Sequence, residues 1–301
     1  MSKLLLVGAG DIAQHFLNLP PKGFKKIYVL LRQRLGESQK ELKARKDFWR
    51  KKNATPIVAD LDDFKSLNKI KGLADAVVHL APPNPEFKTD TRTTHLLCAL
   101  AQNPPKTLIY ISTTGVYGNC PKRWINENTP PAPISARAKQ RLNAEKQCRA
   151  FAKKFAHQNM RLCILRVPGI YSATRLPLKR IQEKTPALTK TDDIYTNHIH
   201  AYDLSRAILG ALFFGKAQRV YNITDDSDLK LGDYLDLLAD YHNLPRPPRL
   251  PFKEIKKHVS TMQYSFLCES RRIEFKRWQK ELKVKMCYPT VQDFLKEQFP
   301  R

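Results

Sequence analysis

A short glycine-rich turn near the N-terminus constrains this chain more than any other segment. Leu4–Val7 is an unbroken apolar run, and Gly8-Ala9-Gly10-Asp11-Ile12-Ala13 follows it directly. The run predicts a strand, and the residues after it predict a helix, Asp11–Leu19, stopped by Pro20-Pro21. In such a strand–turn–helix the first glycine permits the tight turn. The second lets an anion approach the backbone, and the small Ala13 allows close helix–strand packing. The helix start then offers unpaired N–H groups and the positive end of its dipole. This arrangement suits the pyrophosphate of a dinucleotide. The plainer reading is a Gly-rich βα turn of some other α/β protein.

The rest of the first half repeats the strand–helix alternation. Apolar runs at Ile27–Leu31, Pro56–Ala59, Ala76–Leu80, Leu108–Ser112 and Leu162–Val167 show no polar alternation. Strands covered by helices on both faces have this composition. Between them, helices are predicted near Ser38–Lys52, Thr91–Gln102 and Ala136–His157. Ser38-x-x-Glu41 is a capping box that satisfies free N–H groups at a helix start. The pattern predicts an α/β chain: a Rossmann-type, doubly wound parallel sheet with a smaller C-terminal region. Residues 1–170 would form the dinucleotide-binding domain. Residues 171–301 would form a substrate-side region, with about 195–223 returning to the first domain. Pro245-Arg246-Pro247-Pro248-Arg249 reads as an exposed loop.

The end of the second strand bears on which dinucleotide fits. A NAD site usually places an acid there for the ribose 2′-hydroxyl. Here Leu31 is followed by Arg32-Gln33-Arg34, with no acid. The planar fork of Arg32 suits a 2′-phosphate, so NADP is the expected cofactor, with NAD the alternative.

The chain of 301 residues carries 53 Lys+Arg against 28 Asp+Glu, a formal charge of +25. Nucleic acid, an acidic membrane surface or a phosphorylated ligand could each answer that charge. Its 42% hydrophobic content argues against disorder. The most apolar later stretch, Ile208–Phe214, is far too short for a membrane span, so no membrane partner is expected. The cysteines at 98, 120, 148, 163, 268 and 287 show no CxxC spacing. They read as free thiols of a reduced, cytoplasmic chain.

Taken together, these segments resemble the extended and atypical short-chain dehydrogenase/reductase superfamily, in its NAD(P)-dependent epimerase/dehydratase branch of nucleoside-diphosphate-sugar epimerase type. Asp60-Leu61 resembles the family's adenine-contacting pair. Val78-His79-Leu80-Ala81-Pro82 resembles the fourth-strand segment that runs past the cofactor. The most specific match is Ile109-Tyr110-Ile111-Ser112-Thr113-Thr114-Gly115-Val116-Tyr117-Gly118, similar to the fifth-strand active-site segment. Arg166-Val167-Pro168-Gly169-Ile170-Tyr171 is similar to the loop near the nicotinamide. Asn197–Leu204 and Tyr221-Asn222-Ile223 match later segments in the right order. The resemblance implies cofactor contacts at Gly8, Gly10, Asp11, Ile12, Ala13, Arg32, Asp60, Leu61, Leu80, Ala81, Pro82 and Pro168. It also implies that Thr113 holds the substrate oxygen, with Ser112 or Thr114 in its place if the register shifts.

The departure lies in the next helix. The family's catalytic pair is Tyr-x-x-x-Lys, whose spacing puts both side chains on one helix face. Aligned through Glu145, those positions hold Arg137 and Arg141; shifted by two they hold Ser135 and Lys139. Neither register supplies a phenol. Arginine can hold a ribose or an oxyanion but is a poor proton donor. Tyr117, Tyr171, Tyr195 and His198 are substitute donors or, more simply, packing residues. His198-x-His200 would project to one side of a strand, but no third ligand accompanies it and no metal is expected. Trp124–Pro130 reads as a loop bordering the substrate cleft. Arg271-Arg272 and Tyr288-Pro289 resemble the family's closing "RR" and strand-like "YP" segments.

These readings predict an NAD(P)-dependent oxidoreductase or epimerase/dehydratase-like enzyme acting on a small carbonyl or carbinol substrate, a sugar or nucleotide-sugar among the candidates and anionic in character, with Arg137 or Arg141 in place of the missing lysine. The alternative is a catalytically silent dinucleotide-binding or scaffold protein. Arg246–Lys285 holds 12 Lys+Arg and 4 acids, with Phe275 and Trp278 interleaved. Basic residues among aromatics can bind nucleic acid, but the helical spacing places these aromatics in a core, and nucleic acid is not the expected partner.

Overall fold

The computed structural model describes residues 3–19 and 23–300; the Pro20-Pro21 stop lies outside them. The first half runs β1 (Lys3–Val7), α1 (Asp11–Asn18), β2 (Lys26–Leu31), α2 (Gln39–Lys51), β3 (Thr55–Val58), β4 (Ala76–His79), α3 (Thr91–Leu100), β5 (Thr107–Thr113), β6 (Cys120–Ile125), α4 (Ala136–Lys154) and β7 (Arg161–Val167). It continues through β8 (Gly169–Tyr171), α5 (Leu178–Gln182), β9 (Ala187–Leu188), β10 (Tyr195–Thr196), β11 (His198–His200), α6 (Ala201–Phe214) and β12 (Arg219–Asn222). The last part comprises β13 (Leu229–Lys230), α7 (Leu231–Tyr241), β14 (Arg249–Leu250), α8 (Phe252–Ile255), α9 (Thr261–Leu267), β15 (Arg271–Ile273), α10 (Lys276–Leu282) and α11 (Val291–Gln298).

Seven strands form one sheet in the order β12-β7-β5-β4-β1-β2-β3, every neighbouring pair parallel. The strands are apolar throughout because both faces are covered. Leu4 and Leu6 join one core with Val29, Leu31 and Ile109, while Leu5 and Val7 join the other with Tyr28, Leu30 and Leu108. The alternation follows from the two-residue period of a strand. The capping box at α2 is present, with Ser38 accepting from the Glu41 N–H and the Glu41 carboxylate accepting from the Ser38 N–H. The chain winds outward from β1 to β3, then returns to β4 beside β1 and winds the other way. Between β1 and β4 the two connections diverge, which opens a crevice at the carboxyl ends of the strands.

The second half departs from regular alternation. The tail after Pro251 is four short helices interrupted by β15, which pairs with β6 and carries Arg271-Arg272. Tyr288-Pro289 is not a strand. It is held instead by buried Asp203, whose carboxylate accepts from the Cys287 and Tyr288 N–H groups at 2.8 Å each. Trp278 is fully buried in the core, as its helical spacing implied.

A buried ion pair ties α4 to the sheet. Arg166 at the end of β7 donates to Glu145 of α4 at 3.0 and 2.7 Å, and Ser112 of β5 donates to the same carboxylate at 2.6 Å. Both charged groups are almost completely enclosed. Removing one partner of such a pair strands the other without solvation. Arg166→Met is therefore expected to cost roughly 3–5 kcal/mol in urea denaturation. The double variant Arg166→Met with Glu145→Leu should recover most of that loss.

The two histidines of β11 sit in an aromatic cluster. His198 lies 4.2 Å from the Tyr234 ring centroid, and His200 lies 4.2 Å from that of Tyr288. Burial lowers their pKa values to about 3 and about 4, so both rings are neutral in the folded chain. An unfolded imidazole protonates near 6.5. Below that pH the unfolded chain binds protons that the native state excludes, and stability falls as pH drops. Asp225 acts in the opposite sense, because burial raises its carboxyl to about 8 and the native state keeps a proton that the unfolded chain releases. To isolate one ring, His198→Phe is compared with the native chain by urea denaturation at two pH values. From pH 7 to pH 5 the difference in unfolding free energy is expected to move in the variant's favour by roughly 2 kcal/mol.

Candidate functional site

The crevice at the carboxyl ends of β1, β4, β5 and β7 is a cleft of about 600 Å³. Every cofactor-side residue assigned from the sequence lines it: Gly8 through Ala13, Arg32, Asp60-Leu61, Leu80-Ala81-Pro82 and Pro168. Thr113, Arg137 and Arg141 line it as well. Residues separated by more than a hundred positions meet there because parallel strands deliver all their C-terminal loops to one edge.

Gly8 adopts φ +119°, and a Cβ there would stand 3.0 Å from the Ala81 amide nitrogen. No larger residue fits that conformation or that approach. Gly10 differs, because a Cβ on it would meet nothing within 4 Å and would occupy the open cleft. It precedes α1 without a capping side chain. The first helical hydrogen bond runs from the Gln14 N–H to the Gly10 carbonyl at 3.2 Å. The Asp11, Ile12 and Ala13 N–H groups therefore have no helical acceptor. The Asp11 carboxylate turns aside to Arg175, 3.0 Å away, and to His15 at 3.4 Å.

Arginines crowd the β2 and β3 end. The Arg32 guanidinium is over half exposed and lies 3.7 Å from Asp62. Asp62 is bound more tightly by Arg92, whose guanidinium donates to both its oxygens and holds its carboxyl below the usual range. Arg45 reaches back from α2 to the Arg32 carbonyl at 3.2 Å and pairs with Glu37 at 2.6 Å. Arg34 also lines the cleft. The sequence reading missed Arg34, Arg45, Arg92 and Arg175 as cleft residues. Arg34 alone had a local signal, its place two residues beyond Arg32; the others arrive from distant helices and loops.

Around the end of β5 the three neighbouring hydroxyls have separate surroundings. Ser112 touches the cleft wall but is buried and committed to Glu145, and Thr114 is buried. Thr113 lines the cleft, and its oxygen accepts the Gly115 N–H at 3.1 Å, which leaves its proton available to a further acceptor. On α4, Arg141 donates to the Ile111 carbonyl at 2.9 Å and reaches the Ala81 carbonyl and Tyr110 hydroxyl at 3.4 and 3.3 Å. Arg137 packs its guanidinium on the Phe266 ring, 4.5 Å from the centroid.

The substitute proton donors lie elsewhere. Tyr117 is buried and donates to Asn222 at 2.8 Å, while burial raises its pKa. Tyr171 and His198 belong to the aromatic cluster of β8 and β11. Tyr195 packs beneath Arg272, whose guanidinium lies between it and Trp124. None of these residues lines the cleft. The Trp124–Pro130 loop does not border it either. Its Glu127 accepts the Asn222 N–H at 3.0 Å and pairs with Arg277 at 3.3 Å, so the loop packs against α10 and β12.

Among the described residues no helix is long and apolar enough to cross a membrane. Solved structures with the same fold include a functionally unknown conserved protein from Silicibacter pomeroyi. It is 24% identical, with a TM-score of 0.77 over 98% of this chain and 97% of that one. UDP-glucose 4-epimerase from Thermotoga maritima is 18% identical, with a TM-score of 0.75 over 98% and 96% of the two chains. Among curated proteins, the probable UDP-arabinose 4-epimerase 3 of Oryza sativa subsp. japonica is 35% identical over 123 residues. That match takes in 36% of this chain and 30% of the rice protein. The model of the NAD dependent epimerase/dehydratase family matches residues 24–224. With that match spanning most of the Rossmann-type sheet, the chain belongs to the NAD dependent epimerase/dehydratase family.

Proposed function

We propose that this chain binds a nicotinamide dinucleotide and acts as an epimerase/dehydratase-like oxidoreductase on a small, anionic substrate of nucleotide-sugar type. The observation that carries the reading is the sharing of one cleft by the Gly10–Ala13 turn and Thr113. The open space above Gly10 and the three helix-start N–H groups fit a pyrophosphate. When bound, the dinucleotide supplies hydride transfer to or from a carbinol or carbonyl carbon. Asp60-Leu61 would border the adenine end, and Leu80-Ala81-Pro82 and Pro168 the path toward Thr113. The Thr113 proton would then polarise the substrate oxygen. Arg141 is anchored on two main-chain carbonyls, so it would hold the β4 and β5 loops in register.

The cofactor is read as NADP. Arg32 and Arg34 follow β2 directly, no acid precedes them, and Arg45 steadies the Arg32 carbonyl. The domain division is proposed on the same basis. Residues 1–170 carry the cofactor turn and residues 171–301 the substrate side, with about 195–223 contributing α6 and β12 to the first unit.

One observation favours a second reading, a dinucleotide-binding protein without turnover. Helix α4 presents Arg137 and Arg141 to the cleft, and no tyrosine or lysine among the described residues lines it. Arginine does not release a proton near neutral pH. Turnover with nucleotide sugars and small carbonyls, measured after cofactor binding, separates the two.

Fluorescence titration is expected to show NADPH binding about tenfold or more tighter than NADH, because a 2′-phosphate gains charge-assisted hydrogen bonds from Arg32 and Arg34. Replacing both by alanine should equalise the two. Gly10→Val should weaken both by about tenfold or more, since its side chain enters the pyrophosphate space. Failure of either dinucleotide to bind below millimolar concentration would overturn the reading.

A further inference from the structure

Helix α4 opens with an electrostatic misfit. Its first turn contains Arg137 and no acid, although a cation near a helix N-terminus has the unfavourable sign. One turn on, Arg141 brings a second positive charge to the same cleft. The two repel: partial burial lowers the Arg137 pKa, and the charge of Arg141 acts in the same direction. A local rule broken in this way calls for a compensating gain.

The two guanidinium groups are used differently. Arg141 directs its Nη1 to neutral acceptors of the protein, which anchors the side chain to the β4 and β5 ends. Arg137 makes no hydrogen bond or ion pair with the described residues; it is solvent-exposed, and its guanidinium carbon lies over the exposed ring of Phe266. Glu269, the acid that acts on it electrostatically, is tied to Arg271 at 2.5 Å. Other cleft arginines are neutralised, Arg92 by Asp62 and Arg175 by Asp11. The Thr113 end of the cleft thus holds an arginine that forms no ion pair with a carboxylate among the described residues. The pyrophosphate-suited turn is at Gly10–Ala13, so a cofactor held there does not account for it.

We propose that Arg137 is an oxyanion receptor and that the substrate carries a carboxylate beside its reacting carbon. An aromatic ring behind a guanidinium fixes its plane and leaves its N–H edge free. That edge matches the two oxygens of a carboxylate. The carboxylate belongs either to a free small acid or to a sugar acid on a nucleotide. The proposal rests on the reading of this cleft as the nicotinamide and substrate site, and it makes Arg137 a specificity-determining residue.

The test uses ligand pairs that differ in this group. NADPH affinity is measured first for each protein, followed by calorimetric titration of the full chain, with and without saturating NADPH. UDP-glucuronate is compared with UDP-glucose, and oxalate with inorganic phosphate. In at least one pair the carboxylate is expected to bind about tenfold tighter, as a charge-assisted bidentate contact implies. UDP-glucuronate preference identifies a nucleotide-linked acid, and oxalate preference a free one. Arg137→Met, verified as folded by its unfolding midpoint, should abolish the preference, and Arg137→Lys should restore part of it. Equal binding within both pairs, or a preference that survives Arg137→Met, overturns the proposal. Absence of NADPH binding would defeat the cofactor reading instead, while Arg137-dependent oxalate binding to the unloaded chain would still support the receptor.

Discussion

The parting of the chain after β1 and β4 is the constraint on which the rest of the site depends. The Val7 carbonyl accepts N–H groups from both Leu80 and Ala81, at 2.9 and 3.0 Å, so the two loops start from almost the same point. Gly8 can turn away only because it has no side chain to meet Ala81. The crevice between the loops brings the open start of α1 to the same edge as Thr113. A bulkier residue at Gly8 would disturb the β1–β4 pairing and the cleft together.

Around that crevice the protein keeps its electrostatics local. The arginines of the basic stretch Arg246–Lys285 are paired with acids, most of them from other elements. Arg246 pairs with Asp240, Arg249 with Asp236, Arg272 with Asp228 and Arg277 with Glu127. Of its aromatic residues, Trp278 is buried and so not available for base stacking. In the cleft, arginines from the β2 end, α2 and α3 also meet carboxylates, while Arg137 and Arg141 of α4 form no ion pair among the described residues.

Much of this was legible from the residues alone. Continuous apolar runs announced strands buried on both faces, and the glycine turn and capping box marked helix starts through local chemistry that needs no tertiary context. The strand-end segments were legible because parallel strands send all their C-terminal loops to one edge. The errors share a physical origin. Tyr288-Pro289 looked like a strand, but its backbone is satisfied by the Asp203 carboxylate rather than by a neighbouring strand. The Trp124–Pro130 loop looked like a cleft border, but Glu127 draws it toward Asn222 and Arg277. A buried carboxylate accepting backbone N–H groups from a distant segment leaves no periodicity in either partner.

The sequence by itself determined the strand–turn–helix at the N-terminus, the apolar strands that helices cover on both faces, and an α4 without tyrosine. Each depends on neighbours within a few positions, where side-chain size, φ and hydrogen-bonding groups act directly. Only the tertiary structure decided which arginines face the cleft and which of them are neutralised. Arg92 and Arg175 meet their acids across 30 and 164 positions, while Arg137 packs on the ring of Phe266 with no ion pair among the described residues. Charge state and free hydrogen-bonding edges depend on what lies within a few ångströms, and the winding of the sheet sets those neighbours.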